Sequence, residues 1–260
     1  MDRSTPYLLS GLAFSILLIT AHLLLSQAEF YGNLLDILST LSAAFAALAL
    51  YRAHAASMRS SQPWVSFFYL ALAMAMWTLA EGIWSFYEIV LGIDAPSASP
   101  ADFFWLAGYV PFLYSLYLGF ERAVPAAKTA TAALLVFLVV GAGSFLYTKD
   151  IVAASDASLE ENLINAGYVL GDTLLLSMMA ALLISFLGGR EFQPILLIFG
   201  FSLLLLAAGD IWYLRLAAYE EYTPSHPVTL FYVVSYVWLG IAGLMYAASG
   251  GKISRHLPRP

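Results

Sequence analysis

Cysteine is absent from the 260 residues of this chain. That excludes disulfides, thiolate metal sites and a cysteine nucleophile, and it leaves the redox compartment open. Charge is nearly as scarce: 11% of residues are charged and 61% hydrophobic, where a soluble domain carries roughly 25% charged residues. So few charges cannot cover a water-soluble globule of this size, so lipid must solvate most of its surface. The net charge of −6, with basic residues spread over several short segments, argues against nucleic acid as a partner.

Familiar catalytic signatures are missing too. No lysine lies inside an apolar run, which removes a retinal-type Schiff base. There is no His-Glu-x-x-His, no Gly-x-Ser-x-Gly and no Walker-type phosphate loop. His22, His54, His226 and His256 are scattered, and only His22 falls clearly within a run. A bis-histidine haem needs two facing histidines at one depth. No cofactor or resident metal is expected, and the chain reads as a non-enzyme.

What is present is apolar length. A spanning helix needs about 20 mostly apolar residues. Eight segments qualify: Tyr7–Gln27, Phe30–Ala53, Pro63–Gly92, Ala101–Phe120, Thr129–Tyr147, Leu163–Gly188, Pro194–Ala218 and Val228–Ser249. The first is longer than a signal-peptide core and leads directly into further spans, so it is expected to be retained. The longest connection is expected at Thr148 to Asn162, and Pro111 is expected to kink the fourth helix. The fold class is therefore all-α integral membrane, with cell-membrane localisation and lipid as the first partner.

Placing the N-terminus in the cytoplasm puts Arg3, Arg52, Arg59, Arg122, Lys128, Arg190, Lys252, Arg255 and Arg259 inside, nine of the eleven basic residues. This is the segregation that the positive-inside rule asks for, and it places both termini in the cytoplasm. The outer loops then carry Asp94, Asp150, Asp156, Glu160, Glu161, Glu220 and Glu221, an acidic exterior.

The two halves of the chain echo each other. Ala80-Glu81-Gly82-Ile83-Trp84 matches Ala208-Gly209-Asp210-Ile211-Trp212 with the acid displaced by one position. Phe104-Trp105-Leu106-Ala107-Gly108-Tyr109-Val110 matches Phe231-Tyr232-Val233-Val234-Ser235-Tyr236-Val237 without a gap. Tyr31 followed by Asp36 echoes Tyr168 followed by Asp172. The expectation is two four-helix units, residues 1–128 and 129–260, in one membrane domain. An even number of spans per unit makes the repeat parallel, as in some transporter folds.

Four acids fall at lipid depth: Asp36, Glu81, Asp172 and Asp210. An ionisable group there costs about 2.5–3.5 kcal/mol on insertion scales, so it must face the bundle interior. Interhelical polar bonds are worth about 0.6 kcal/mol on average, so stabilisation alone explains such residues poorly. Glu88 and Asp102 lie nearer the outer boundary, and Arg215 is a candidate partner for Asp210 or Glu88. Trp77, Glu81, Trp84 and Glu88 form one stripe of the third helix. Tryptophan N–H groups could hold Glu81, and Tyr31, Tyr109, Tyr168, Tyr213 and Tyr236 supply further donors. The candidate ligand site is Glu81, Trp84, Trp105, Tyr109, Asp172, Asp210, Trp212 and Tyr236; the candidate ion-coupling set is Asp36, Glu81, Asp172 and Asp210.

The stretches Trp77-Thr78-Leu79-Ala80-Glu81-Gly82-Ile83-Trp84-Ser85-Phe86-Tyr87-Glu88, Ala101-Asp102-Phe103-Phe104-Trp105-Leu106-Ala107-Gly108-Tyr109, Tyr168-Val169-Leu170-Gly171-Asp172 and Gly209-Asp210-Ile211-Trp212-Tyr213 carry a resemblance. Over helices two to eight the chain resembles the multi-helix N-terminal membrane sensor region found ahead of diguanylate cyclase and histidine kinase domains in bacteria and archaea. The resemblance implies reception of a signal within the membrane. No cyclase, kinase or transmitter helix follows here, so a stand-alone relative signalling through a cytoplasmic or membrane partner is expected. The rival readings are a proton- or cation-coupled transporter of small solutes and an intramembrane enzyme on lipid or isoprenoid substrates. The latter chemistry gathers acids with Lys or Arg, and the interior is nearly free of cations.

Overall fold

The computed structural model describes residues 4–58, 66–93, 95–96, 98–123, 126–154, 158–185, 193–219 and 221–249. Arg59, Pro63, Asp94, Asp156, Gly188, Arg190, Glu220, Lys252, Arg255, His256 and Arg259 lie outside the described residues. The described residues form helices joined by short connections, with no strand among them. In order the helices are α1 (Thr5–Leu25), α2 (Tyr31–Met58), α3 (Ser66–Ser85), α4 (Pro100–Ala123), α5 (Ala126–Ala154), α6 (Leu159–Ser185), α7 (Gln193–Ala218) and α8 (Val228–Ala248). In a bilayer every backbone N–H and C=O must be satisfied within the chain, and the α-helix does this locally.

Six of these are long and apolar enough to cross a membrane: Thr5–Leu25, Tyr31–Met58, Ser66–Leu91, Leu159–Ile184, Pro194–Ala218 and Val228–Ala248. The other two are α4 and α5. Helix α4 is 24 residues long and carries Asp102 in its first turn and Pro111 inside it. The described apolar part of α5 is only Leu134–Leu146. Large apolar side chains cover the outside of the bundle: Leu17 and Leu24 on α1, Leu48 on α2, Val110 on α4, Val139 on α5 and Leu204 on α7 are all exposed. An apolar surface on every side fits lipid and not water.

Helix ends depart from the sequence expectation in two places. Helix α5 runs to Ala154 and α6 begins at Leu159, so most of the expected long connection is helix. The capping box explains the second boundary: Ser158 N–H donates to Glu161 Oε2 at 2.6 Å and Glu161 N–H to Ser158 Oγ at 3.2 Å. Helix α3 ends in a π-helical turn, Phe86–Leu91, stopped by Gly92 at a left-handed φ of 63°. Helix α4 runs through Pro111 without interruption.

Packing arranges six helices in a closed ring. Helix α2 packs on α3, α3 on α4, α4 on α6, α6 on α7, α7 on α8, and α8 on α2. From outside, α1 leans on α8, and α5 on α6 and α7. One end of the ring interior is filled with apolar side chains, among them Phe67, Met74, Phe112, Leu116, Met179, Leu182, Phe199 and Tyr246. The other end, where α2, α4, α6 and α8 begin, holds the polar residues.

The start of α8 depends on a proton. His226 Nδ1 accepts the Val228 N–H at 3.1 Å, serving one of the helix's unpaired first amides. Only an unprotonated Nδ1 can accept. Burial first, then the nearby His22, pushes the His226 pKa below its ordinary 6.5, with Glu221 opposing. The unfolded chain therefore takes up the proton more readily. The cap's contribution is complete above the unfolded value and is lost as pH falls through the lower folded one. Hydrogen exchange at the Val228 amide, corrected for intrinsic rate, should speed up on acidification from about pH 7.5 to about pH 5. Constant protection across that range would rule the cap out as proton-sensitive.

Candidate functional site

The polar end of the ring encloses a cavity of about 400 Å³. Its depth runs along α3, whose Trp77, Glu81 and Trp84 line it at helical spacing. Asp36 and Ser39 enter from α2, Trp105 and Tyr109 from α4, Tyr168 from α6, Asp210 and Tyr213 from α7, and Tyr232 and Tyr236 from α8. Pro96, Glu161, Ala218 and Tyr222, near helix ends, form the rim. Nine aromatic residues and five carboxylates line the space, and among the described lining residues there is no Lys, Arg or His.

Glu81 is buried and doubly bonded. Its Oε1 accepts from Tyr236 Oη at 2.8 Å and from Trp105 Nε1 at 3.3 Å. The donors thus come from α8 and α4, and not from tryptophans of its own stripe. Trp77 instead donates its Nε1 to the Trp105 carbonyl at 2.9 Å. This crossing is possible because residue 108 is glycine: a Cβ there would collide with the Trp77 indole.

On the facing side, Tyr109 Oη donates to Asp172 Oδ1 at 2.7 Å and lies 3.3 Å from Asp210 Oδ2. A hydroxyl has one proton, so both contacts are full hydrogen bonds only when a carboxyl supplies the second. Tyr232 is within hydrogen-bonding reach of Asp210 as well. Asp172 is buried behind Tyr109, off the lining itself. One turn nearer the rim the pairing reverses: Tyr168 of α6 donates to Asp102 Oδ1 of α4 at 2.7 Å. Asp102 Oδ2 meanwhile accepts from Ser99 N–H at 2.8 Å and Ser99 Oγ at 3.1 Å, capping α4. Asp102 is held by its own helix end, so it is a structural acid that shapes the wall.

Of the ligand-site candidates, Glu81, Trp84, Trp105, Tyr109, Asp210 and Tyr236 line the cavity. Asp36, an ion-coupling candidate, lines it also. Trp212 does not: it is 36% exposed and packs edge-on against His226 and Phe231, with centroids 5.2 and 5.6 Å away. Helical spacing accounts for this. Trp84 follows Glu81 by three residues and shares its face, whereas Trp212 follows Asp210 by two and points away. The residue three after Asp210 is Tyr213, and it is Tyr213 that stands opposite Trp84, at 6.1 Å. Arg215, five residues past Asp210, is likewise exposed on another face. The contacts of Asp210 are with Tyr109, Tyr232 and Asp172. Tyr222, which closes the rim, comes from the α7–α8 connection, where no periodicity signals direction.

Among the described residues no group of three His, Cys, Asp or Glu is arranged to hold a metal ion. The arrangement is suited to a ligand that presents hydrogen-bond donors or positive charge to carboxylates inside an aromatic wall. Comparison of the chain with protein-family models, curated proteins and solved structures finds no match in any of the three.

Proposed function

We propose that this is an eight-span membrane receptor that takes a small ligand into its ring and signals through a partner, both termini lying in the cytoplasm. The observation that carries the reading is the cavity's single polar end. Acids and aromatic rings line about 400 Å³ there, while Met74, Phe112, Leu203 and Tyr246 fill the ring beyond it. Pockets of roughly 300–1,000 Å³ with a few convergent polar groups are the usual form of a small-molecule site. A space closed toward one side suits reception better than passage.

Two parallel repeats supply the moving parts. The ring contacts exchange under the mapping of α2, α3 and α4 onto α6, α7 and α8: α2–α3 becomes α6–α7, α3–α4 becomes α7–α8, and α4–α6 becomes α8–α2. The hydrogen bonds follow it. Tyr236 to Glu81 mirrors Tyr109 to Asp210, and Trp105 to Glu81 mirrors Tyr232 to Asp210. Helices α1 and α5 break the symmetry, α1 leaning on α8 and α5 on α6 and α7. A ligand seated between Glu81 and Asp210 touches both units and shifts one against the other. This is the role that the resemblance to membrane sensor regions implies.

The transporter reading draws on one feature, the Asp172–Tyr109–Asp210 array, which can share a proton. One pair of measurements separates the two. Protein in lipid nanodiscs is screened by thermal shift against a small-metabolite library, alongside a Glu81→Gln/Asp210→Asn double variant. The same hits are then assayed for uptake into proteoliposomes. A receptor gives hits that the double variant loses at least about tenfold, a difference of roughly 1.4 kcal/mol, and no uptake. Equal binding by the double variant defeats the site, and substrate accumulation favours the carrier.

A further inference from the structure

Two corresponding acids, Asp36 and Asp172, each keep a buried carboxylate oxygen without a partner, but of the two only Asp36 lines the cavity, and that difference points to the ligand's chemistry. The inference rests on the receptor reading and deepens it. In the second half Asp172 Oδ1 accepts a hydrogen bond from the Tyr109 hydroxyl at 2.7 Å, while its Oδ2 is buried without a partner. Its counterpart in the first half is Asp36, and the counterpart of Tyr109 is Tyr236. Tyr236 turns instead to Glu81, at 2.8 Å. Asp36 Oδ2 is left buried without a hydrogen-bond partner, on a residue only 3% exposed that lines the cavity. The Asp36 side chain is otherwise hydrogen-bonded to the carboxyl of Glu88, an acid-to-acid contact in which one of the two must hold a proton. A buried acceptor left unmet is destabilising, and more so when charged. The missing element is a donor, preferably a positive one, and the described lining residues include no cation to supply it.

The walls beside this acceptor are aromatic. Trp84 stands against Trp105, Tyr213 and Tyr222 with ring centroids 5.6, 6.1 and 6.4 Å apart, and Tyr213 meets Tyr222 at 4.9 Å. Three or four rings around one space are the arrangement that holds an ammonium by its attraction to π-faces. A hydrated metal ion has little use for such walls.

We infer that the cavity binds a small protonated amine, its N–H groups donating to Asp36 and its carbon skeleton lying among Trp84, Trp105, Tyr213 and Tyr222.

The test uses the full chain in nanodiscs and reads quenching of tryptophan fluorescence. The probes are phenethylamine, cyclohexylamine and putrescine, the alcohols of the same skeletons, the matched carboxylates, and the chlorides of sodium, potassium and magnesium. At least one amine should saturate the signal, bind at least about tenfold tighter than its alcohol, and weaken at least about tenfold in Asp36→Asn. Tyr222→Leu, at the rim, should weaken it several-fold, which keeps a test available should Asp36→Asn fail to fold. Equal binding of amine and alcohol, preference for a carboxylate or a metal chloride, or indifference to both substitutions overturns the amine assignment while leaving a receptor. If no probe of any class binds, the amine assignment is overturned by that alone, and the library screen in nanodiscs decides separately whether a receptor remains.

Discussion

Replacing Trp77 with alanine lowers the unfolding free energy by about 3 kcal/mol and deepens the cavity. The magnitude follows from packing. In a bilayer the transfer term largely vanishes, because lipid tails are as apolar as the helix interface. The void term remains: roughly 24 cal/mol per Å³ over the roughly 140 Å³ by which tryptophan exceeds alanine. Trp77 is 2% exposed, stacked on Phe112 at 5.5 Å and edge-on to Tyr109 at 5.6 Å, and its indole crosses α4 over Gly108. Neighbours locked by their own contacts cannot collapse into the space. The substitution also removes the donor to the Trp105 carbonyl, and Trp105 holds Glu81. Reversible unfolding in mixed micelles measures the loss. Trp77→Phe, which leaves a smaller void, should keep more than half of the stability that alanine loses. A loss for alanine below about 1 kcal/mol would mean that the ring relaxes freely and that Trp77 is no floor.

How far the molecule is readable from its sequence varies with the kind of signal. Apolar length with scarce charge is enough to expect the helices, because lipid leaves no other way to satisfy a backbone. Burial of Asp36, Glu81 and Asp172 follows from depth alone, since each would otherwise meet hydrocarbon. Partners are another matter. Glu81 is held by Trp105 and Tyr236, which lie 24 and 155 residues away, and no local spacing states which helix faces which. Trp212 misses the cavity for a reason that periodicity could have supplied, since two residues along a helix is just over half a turn. The overhang of Tyr222 and the capping that commits Asp102 to its own helix depend on loop geometry, which hydropathy does not encode. The π-turn at Phe86–Leu91 is likewise invisible in an apolar run.

Gly171→Ala should break the link between Asp172 and Asp210 without touching either acid. A Cβ at 171 would sit 2.6 Å from the Tyr109 ring, so something must move. The ring has little room, with Trp77 at 5.6 Å and Tyr168 at 6.4 Å. Tilting Tyr109 lifts its hydroxyl off Asp172, the residue next to the glycine. Overpacking of this kind costs about 1–3 kcal/mol. Tyr109→Phe removes the same hydroxyl while keeping the ring, leaving a buried carboxyl short of its donor at about 1–3 kcal/mol. If both changes act through that one bond, they cannot add. The double variant should be less destabilised than the sum by at least about 1 kcal/mol, a coupling within the range seen for residues in one network. Ligand affinity should show the same pattern, each single change weakening binding and the pair weakening it little further. Strict additivity in both measurements would mean that Gly171 serves only helix packing, and that the hydroxyl bridging Asp172 and Asp210 has no part in how the cavity is held.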